Sequence, residues 1–291
     1  MKEILTALIT PFYENGEIDF VSLRFLVEEQ IEKGIDGFIV CGTTAETPAL
    51  SDEEQDRVIQ CVISQCKGRC KVYAGAGTNC TATTIAKICR YEQYDLDGYL
   101  LVTPYYNRPS EEGLFLHFKA VSAVTKRPII LYHIPSRCGV SISVDLLKHL
   151  LSTCNNIIGL KYAANDYRSI MAIKQLLPSF LLYSGDDISC FNAMRDGFDG
   201  VISVLSHLQL PNMRLALKFD DPALIDDLQR MAAYCFIESS PAPVKYMLST
   251  YGLCMNVLRL PLCSLSAVNQ SFLDRYAIPL NDKLRNKDLL C

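Results

Sequence analysis

At 291 residues, 49% of them hydrophobic, the chain is long enough to bury a large core. A net charge of −4 with no clustered basic stretch argues against a nucleic-acid partner. No run reaches the roughly 20 apolar residues of a membrane-spanning helix, which argues against a membrane protein.

The opening "MKEILTALITPF" holds a single lysine and no small-residue cleavage site, so it reads as a first strand and not as a signal peptide. After it come Asp19, a candidate N-cap, and the helical pattern "FVSLRFLVEEQIEKG", which Gly34 ends. "GFIVCG" is the second strand. Ser51 and Glu54 then stand at capping-box spacing at the start of "SDEEQDRVIQCVISQC". "KVYAGAG", the helical "NCTATTIAKICRYEQ" and "GYLLVTP" continue the alternation, and "PIILYHIP", "IIGLKYA", "FLLYSGD" and "GVISVL" complete eight strands. Eight strands alternating with helices predict a parallel (β/α)8 TIM barrel of the α/β class. From Leu208 onward the pattern is helical only. The expected division is a catalytic barrel over 1–220 and a C-terminal helical region over 221–291.

Thirteen cysteines are scattered along the chain without a CxxC or a zinc-like Cys/His cluster. They read as small hydrophobes in a reduced, cytoplasmic chain. A Cys70–Cys80 pairing is conceivable, but nothing requires it.

In such barrels the chemistry sits at the C-terminal strand ends. There the sequence places "CGTTAET", "TPYYN", "LYHIPSRCG", "LKYA" and "SGDD". Lys161 closes an apolar strand, where an ammonium is costly unless it is paired, neutralised or used. In a desolvated pocket its pKa falls, and the free amine can form a Schiff base with a carbonyl compound. Tyr132 and Tyr106 offer phenols, and Thr43 and Thr44 offer hydroxyls, as proton carriers. Arg137 offers a fork for a carboxylate, and the "CGTTAE" turn offers backbone N–H groups for a second one. Taken singly, each residue has an ordinary explanation: a lysine snorkels, a tyrosine packs, a GTT turns. Their shared place on one rim favours catalysis. Asp186 and Asp187 lack an accompanying HxH or HExxH, so a helix N-terminus suits them better than a metal. "AGAGTN" has the wrong spacing for a dinucleotide loop.

"CGTTAETPALSDEE", "VTPYYNRPSEEGLFLHFKAV", "YHIPSRCGV", "IIGLKYA", "YSGDD", "GVISV" and "SPAPVKYMLSTYGL" occur in the order of the dihydrodipicolinate synthase family. The chain resembles these pyruvate-dependent class I aldolases over nearly its whole length. The resemblance implies that Lys161 forms a Schiff base with pyruvate and that Tyr132 relays protons at the imine. It implies that Thr43 links Tyr132 to Tyr106, and that Tyr106 enters a neighbouring subunit's site. Thr43 and Thr44 would hold the pyruvate carboxylate, Arg137 would bind the carboxylate of L-aspartate 4-semialdehyde, and Gly185 and Ile202 would line the pocket. It further implies a homotetramer built as a dimer of dimers, no metal or other cofactor, and a place in diaminopimelate and lysine biosynthesis. The nearest alternative, a sister sugar-acid lyase, usually has Ser-Thr in place of Thr43-Thr44 and lacks an arginine matching Arg137.

Three departures stand out. Ala45 replaces the glycine of the usual GTTGE and would strain the turn if that position needs positive φ. Tyr162 replaces an acidic or polar residue and is expected to alter the surroundings of Lys161. Asp52, Gln55 and Thr83 stand where lysine-inhibited relatives carry two histidines and a glutamate, which predicts weak or absent inhibition by lysine.

Overall fold

A computed structural model describes residues 2–164 and 166–288. Eight short strands form in chain order: β1 (Glu3–Ala7), β2 (Gly37–Val40), β3 (Lys71–Gly75), β4 (Gly98–Val102), β5 (Ile129–His133), β6 (Ile157–Tyr162), β7 (Leu181–Ser184) and β8 (Gly200–Ser203). They pair in parallel and in sequence, and β8 returns to β1, closing a (β/α)8 barrel. Closure brings backbones close together. A Cβ on Gly200 would lie 2.2 Å from the Glu3 carbonyl oxygen, so the β8–β1 seam needs glycine there.

The barrel helices are α1 (Phe20–Glu32), α2 (Asp52–Cys66), α3 (Thr81–Tyr91), α4 (Glu111–Ser122), α5 (Pro135–Cys138), α6 (Val144–Leu151), α7 (Met171–Leu176) and α8 (Cys190–Asp196). The caps read from sequence form. Asp19 Oδ1 accepts from the Val21 and Ser22 amides, and Ser51 and Glu54 make the reciprocal capping box. The first strand is shorter than its apolar run. Pairing with β2 ends at Ala7, and the chain then leaves the barrel for a bridge between Phe12 and Ile18.

After β8 come α9 (Ser206–Phe219), α10 (Pro222–Tyr234), α11 (Ala242–Thr250) and α12 (Ala267–Asp288). Helix α9 kinks at Gln209, two residues before Pro211, which lacks the N–H that would continue the helix. The groups around the kink serve as anchors. Gln209 Nε2 donates to Asn281 Oδ1 at 2.5 Å, and Asn212 Nδ2 donates to the Leu284 carbonyl at 3.0 Å, tying α12 to α9. Cys80 is exposed at the N-cap of α3; the sulfur beside Cys70 is that of Cys66, not Cys80. Among the described residues no helix is long and apolar enough to cross a membrane.

Candidate active site

Lys161 sits near the C-terminal end of β6, in register with Tyr132 on β5 and Tyr183 on β7. It is buried, and its Nζ lies 4.4 Å from the centre of the Tyr132 ring. Gly185, just after β7, makes room for it. A Cβ there would meet Lys161 Cε at 2.9 Å and Cγ at 3.1 Å. A side chain at 185 would therefore push the amine out of place.

Burial is the main influence on this amine and lowers its pKa to about 8. Asp187 opposes the shift and Arg137 reinforces it. Burial likewise raises the Tyr132 phenol, which stays protonated at neutral pH. Among the described residues Lys161 Nζ makes no hydrogen bond or ion pair. With a pKa of about 8, roughly one tenth of Lys161 is free amine at pH 7, against about one part in three thousand at the ordinary 10.5. Imine trapping with pyruvate should therefore rise about tenfold from pH 6 to 7 and level off above 8. A midpoint near 10 in stopped borohydride reactions would contradict this.

A second buried lysine shows what a structural one looks like. Lys245 on α11 is fully buried, with Nζ 2.5 Å from Glu46 Oε1 and 2.9 Å from the Val257 carbonyl. Glu46 Oε2 also accepts from the Arg259 amide at 2.9 Å. The Arg259 guanidinium in turn grips Glu54 and the carbonyls of Gly16 and Ala49. Lys245 is paired and Lys161, among the described residues, is not, which sets a structural ammonium apart from the candidate nucleophile.

This clamp holds the turn after β2. Thr43–Ala45 is a single 3-10 turn, Thr44 is buried and Thr43 is exposed. The first amides of such a turn have no partner inside it and are free for a carboxylate. The left-handed residues around it are Cys41 (φ 51) and Glu46 (φ 55); Ala45 is helical. The expected strain at Ala45 is therefore absent, because the turn takes its positive φ one residue later.

Tyr162 is also placed otherwise than expected. Successive strand residues face opposite sides. Tyr162 therefore turns away from the side Lys161 occupies, stacks on His133 at 4.6 Å, and bonds to the Asp166 carbonyl and Ser169.

Thr43, Tyr132 and Arg137 line one cavity of about 400 Å³ at this end of the barrel, whereas Lys161, Thr44 and Gly185 are not among its lining residues. Arg137, on α5, is exposed, and its guanidinium makes no hydrogen bond among the described residues. Ile202 is buried in β8, paired with Leu5, and does not line that cavity. Tyr106 stands outside it as well, 87% exposed with φ 71. Asp186 caps the turn before α8 through the Ser189 amide and hydroxyl. Asp187 is buried, and its Oδ2 accepts from the Val204 and Leu205 amides at 2.8 and 3.0 Å. It thus fixes the exit of β8 and supplies a negative charge near Lys161.

Sequence reasoning missed Glu46, Lys245 and Arg259, and it gave Asp187 a helix N-terminus without its hold on the Val204 and Leu205 amides. Lys245 carried a usable signal. It interrupts the apolar "PAPVKYML" much as Lys161 interrupts "IIGLKYA".

The family model described as the dihydrodipicolinate synthetase family matches residues 1–277. The chain is 38% identical over 280 residues to the 4-hydroxy-tetrahydrodipicolinate synthase of Endomicrobium trichonymphae, covering 94% of this chain and 96% of that protein. Among solved structures, the 4-hydroxy-tetrahydrodipicolinate synthase of Methylacidiphilum fumariolicum superposes with a TM-score of 0.91 at 39% identity, covering 99% of this chain and 98% of that one. The chloride-inhibited dihydrodipicolinate synthase of Acinetobacter baumannii, complexed with pyruvate, gives 0.91 at 34% identity, covering 97% and 99%.

Proposed function

The chain belongs to the dihydrodipicolinate synthetase family, and from that premise we propose that it condenses pyruvate with L-aspartate 4-semialdehyde through an imine on Lys161. The reaction makes it a lyase of the class I aldolase type and opens the diaminopimelate route to lysine. The observation that carries this reading is the buried, unpaired Lys161 amine beside the Tyr132 phenol.

The Lys161 amine adds to the C2 carbonyl of pyruvate, and loss of water leaves the imine. Protons move through the Tyr132 phenol, which burial keeps protonated until called upon. The pyruvate carboxylate rests on the free amides of the 43–44 turn, which the Glu46–Lys245 pair holds in place. Removal of a C3 proton gives the enamine, with the iminium nitrogen as electron sink, so the sequence calls for no metal or added cofactor. The enamine carbon attacks the aldehyde of the semialdehyde. The semialdehyde's own amine then displaces Lys161 and closes the ring.

Arg137 at the mouth binds the acceptor carboxylate. Arg137→Ala should lower kcat/KM for the semialdehyde by about a hundredfold while pyruvate trapping persists. Loss of trapping in that variant, measured by borohydride reduction and intact mass, would remove the assigned role.

In this reading the barrel unit, 1–220, carries the chemistry, and 221–291 supports it through Lys245 and Arg259. Tyr106, exposed on its own chain, enters the site of a second subunit in a homotetramer of paired dimers. The compartment is the cytoplasm, in keeping with the free thiols of the described cysteines. Inhibition by lysine should be weak. Gln55 is held by the Leu50 carbonyl and Tyr91 hydroxyl, and the Lys87 ammonium lines the same part of the cavity, where it opposes a second cation. Half-inhibition of initial rates by micromolar lysine would refute this.

A further inference from the structure

At the other end of the barrel, remote from Lys161, two cysteines meet. Cys66 is the last residue of α2, and the chain reverses through Lys67 (φ 47) and Gly68 (φ 71), both left-handed. The Arg69 amide closes the turn on the Cys66 carbonyl at 2.9 Å. Cys70 is thereby carried back until its sulfur lies 3.5 Å from that of Cys66. It is the one sulfur–sulfur contact among the described residues.

Both cysteines are among the lining residues of a second cavity, of about 430 Å³, shared with Ile35, Ile63, Asp95 and Asp97 near the N-terminal ends of β2 to β4. A small reagent entering it meets the half-buried Cys70. Cys66 is buried and Cys70 half-buried, so the outer sulfur meets solvent first and the inner one stands behind it. The contact with Cys70, together with burial, raises the Cys66 thiol, so the half-buried Cys70 is the readier of the two to ionise. The exposed Cys80, Cys89 and Cys263 make no such contact. Closing to a disulfide needs roughly 1.5 Å of approach, which the exposed turn at 67–69 can supply.

We propose that Cys66 and Cys70 form a redox-active dithiol that closes to a disulfide when it meets a small hydroperoxide. The Cys70 thiolate attacks the peroxide oxygen, breaking the O–O bond. It becomes a sulfenic acid and releases an alcohol or, from hydrogen peroxide, water. The Cys66 sulfur then attacks the sulfenic sulfur, giving up its proton, and the S–O bond breaks to release water. Two thiols are oxidised by two electrons, the peroxide is reduced by two, and a small thiol reverses the change. This site goes beyond the aldol chemistry and does not depend on it.

The test treats the fully reduced, full-length protein with about one molar equivalent of hydrogen peroxide, followed by alkylation and trypsin. Cleavage after Arg57, Lys67, Arg69 and Lys71 separates the two cysteines. The expected product is fragment 58–67 joined through Cys66, not Cys61, to the dipeptide 70–71. In Cys66→Ser the disulfide cannot form, and dimedone should trap a sulfenic acid on Cys70. Oxidation that falls first on Cys80, Cys89 or Cys263, with Cys66 and Cys70 both still alkylated in the wild type, would overturn the proposal whether or not the variant folds.

Discussion

Lys161→Ala is expected to lower turnover by about three orders of magnitude or more, about 4 kcal/mol of transition-state stabilisation. The loss follows from the chemistry. Without the amine there is no imine, so the electrons of the C3–H bond have no sink. The fold should stay intact, because the variant removes an ammonium that is buried and has no partner among the described residues. Its melting temperature should match or exceed that of the wild type. A variant that keeps one tenth of wild-type turnover with pyruvate and the semialdehyde would exclude Lys161 as the nucleophile.

Lys245→Met should do the reverse. It strands the Glu46 carboxylate in a dry site where the ammonium stood 2.5 Å away. Breaking one side of such a pair costs about 3–5 kcal/mol, far more than the pair contributes over a well-packed apolar replacement. Denaturant unfolding should therefore show a large fall in midpoint. The double variant Glu46→Gln/Lys245→Met should recover part of the loss, since no charge is then left behind. Among molecules still folded, KM for pyruvate should rise more than kcat falls, because the pair anchors the turn proposed to bind the carboxylate and not the reacting carbon. A single variant as stable as the wild type would show that Glu46 has found another partner or a proton.

These two lysines show what a sequence discloses and what it withholds. The eight strands were legible because each is a short apolar run bounded by turn signals, and the alternation with helices leaves few other topologies. Lys161, Tyr132, Thr43 and Arg137 stood out as candidates because strand ends in such barrels carry the chemistry. Side-chain direction was harder. Tyr162 follows Lys161 directly, yet strand alternation stacks it on His133. Partners distant in sequence were harder still. Glu46 and Lys245 are 199 positions apart, and neither residue announces the other. The same holds for Asp187, whose role depends on amides 17 and 18 residues further on. Ala45 looked like a source of strain only because the sequence did not reveal which residue of the turn takes positive φ.

The most direct measurement is reduction of the wild-type protein with borohydride in the presence of pyruvate, followed by intact mass and peptide mapping. One reduced pyruvate adduct per chain, located on Lys161 and absent from Lys161→Ala, is the predicted result. No adduct, or an adduct on any other lysine, would contradict the imine mechanism.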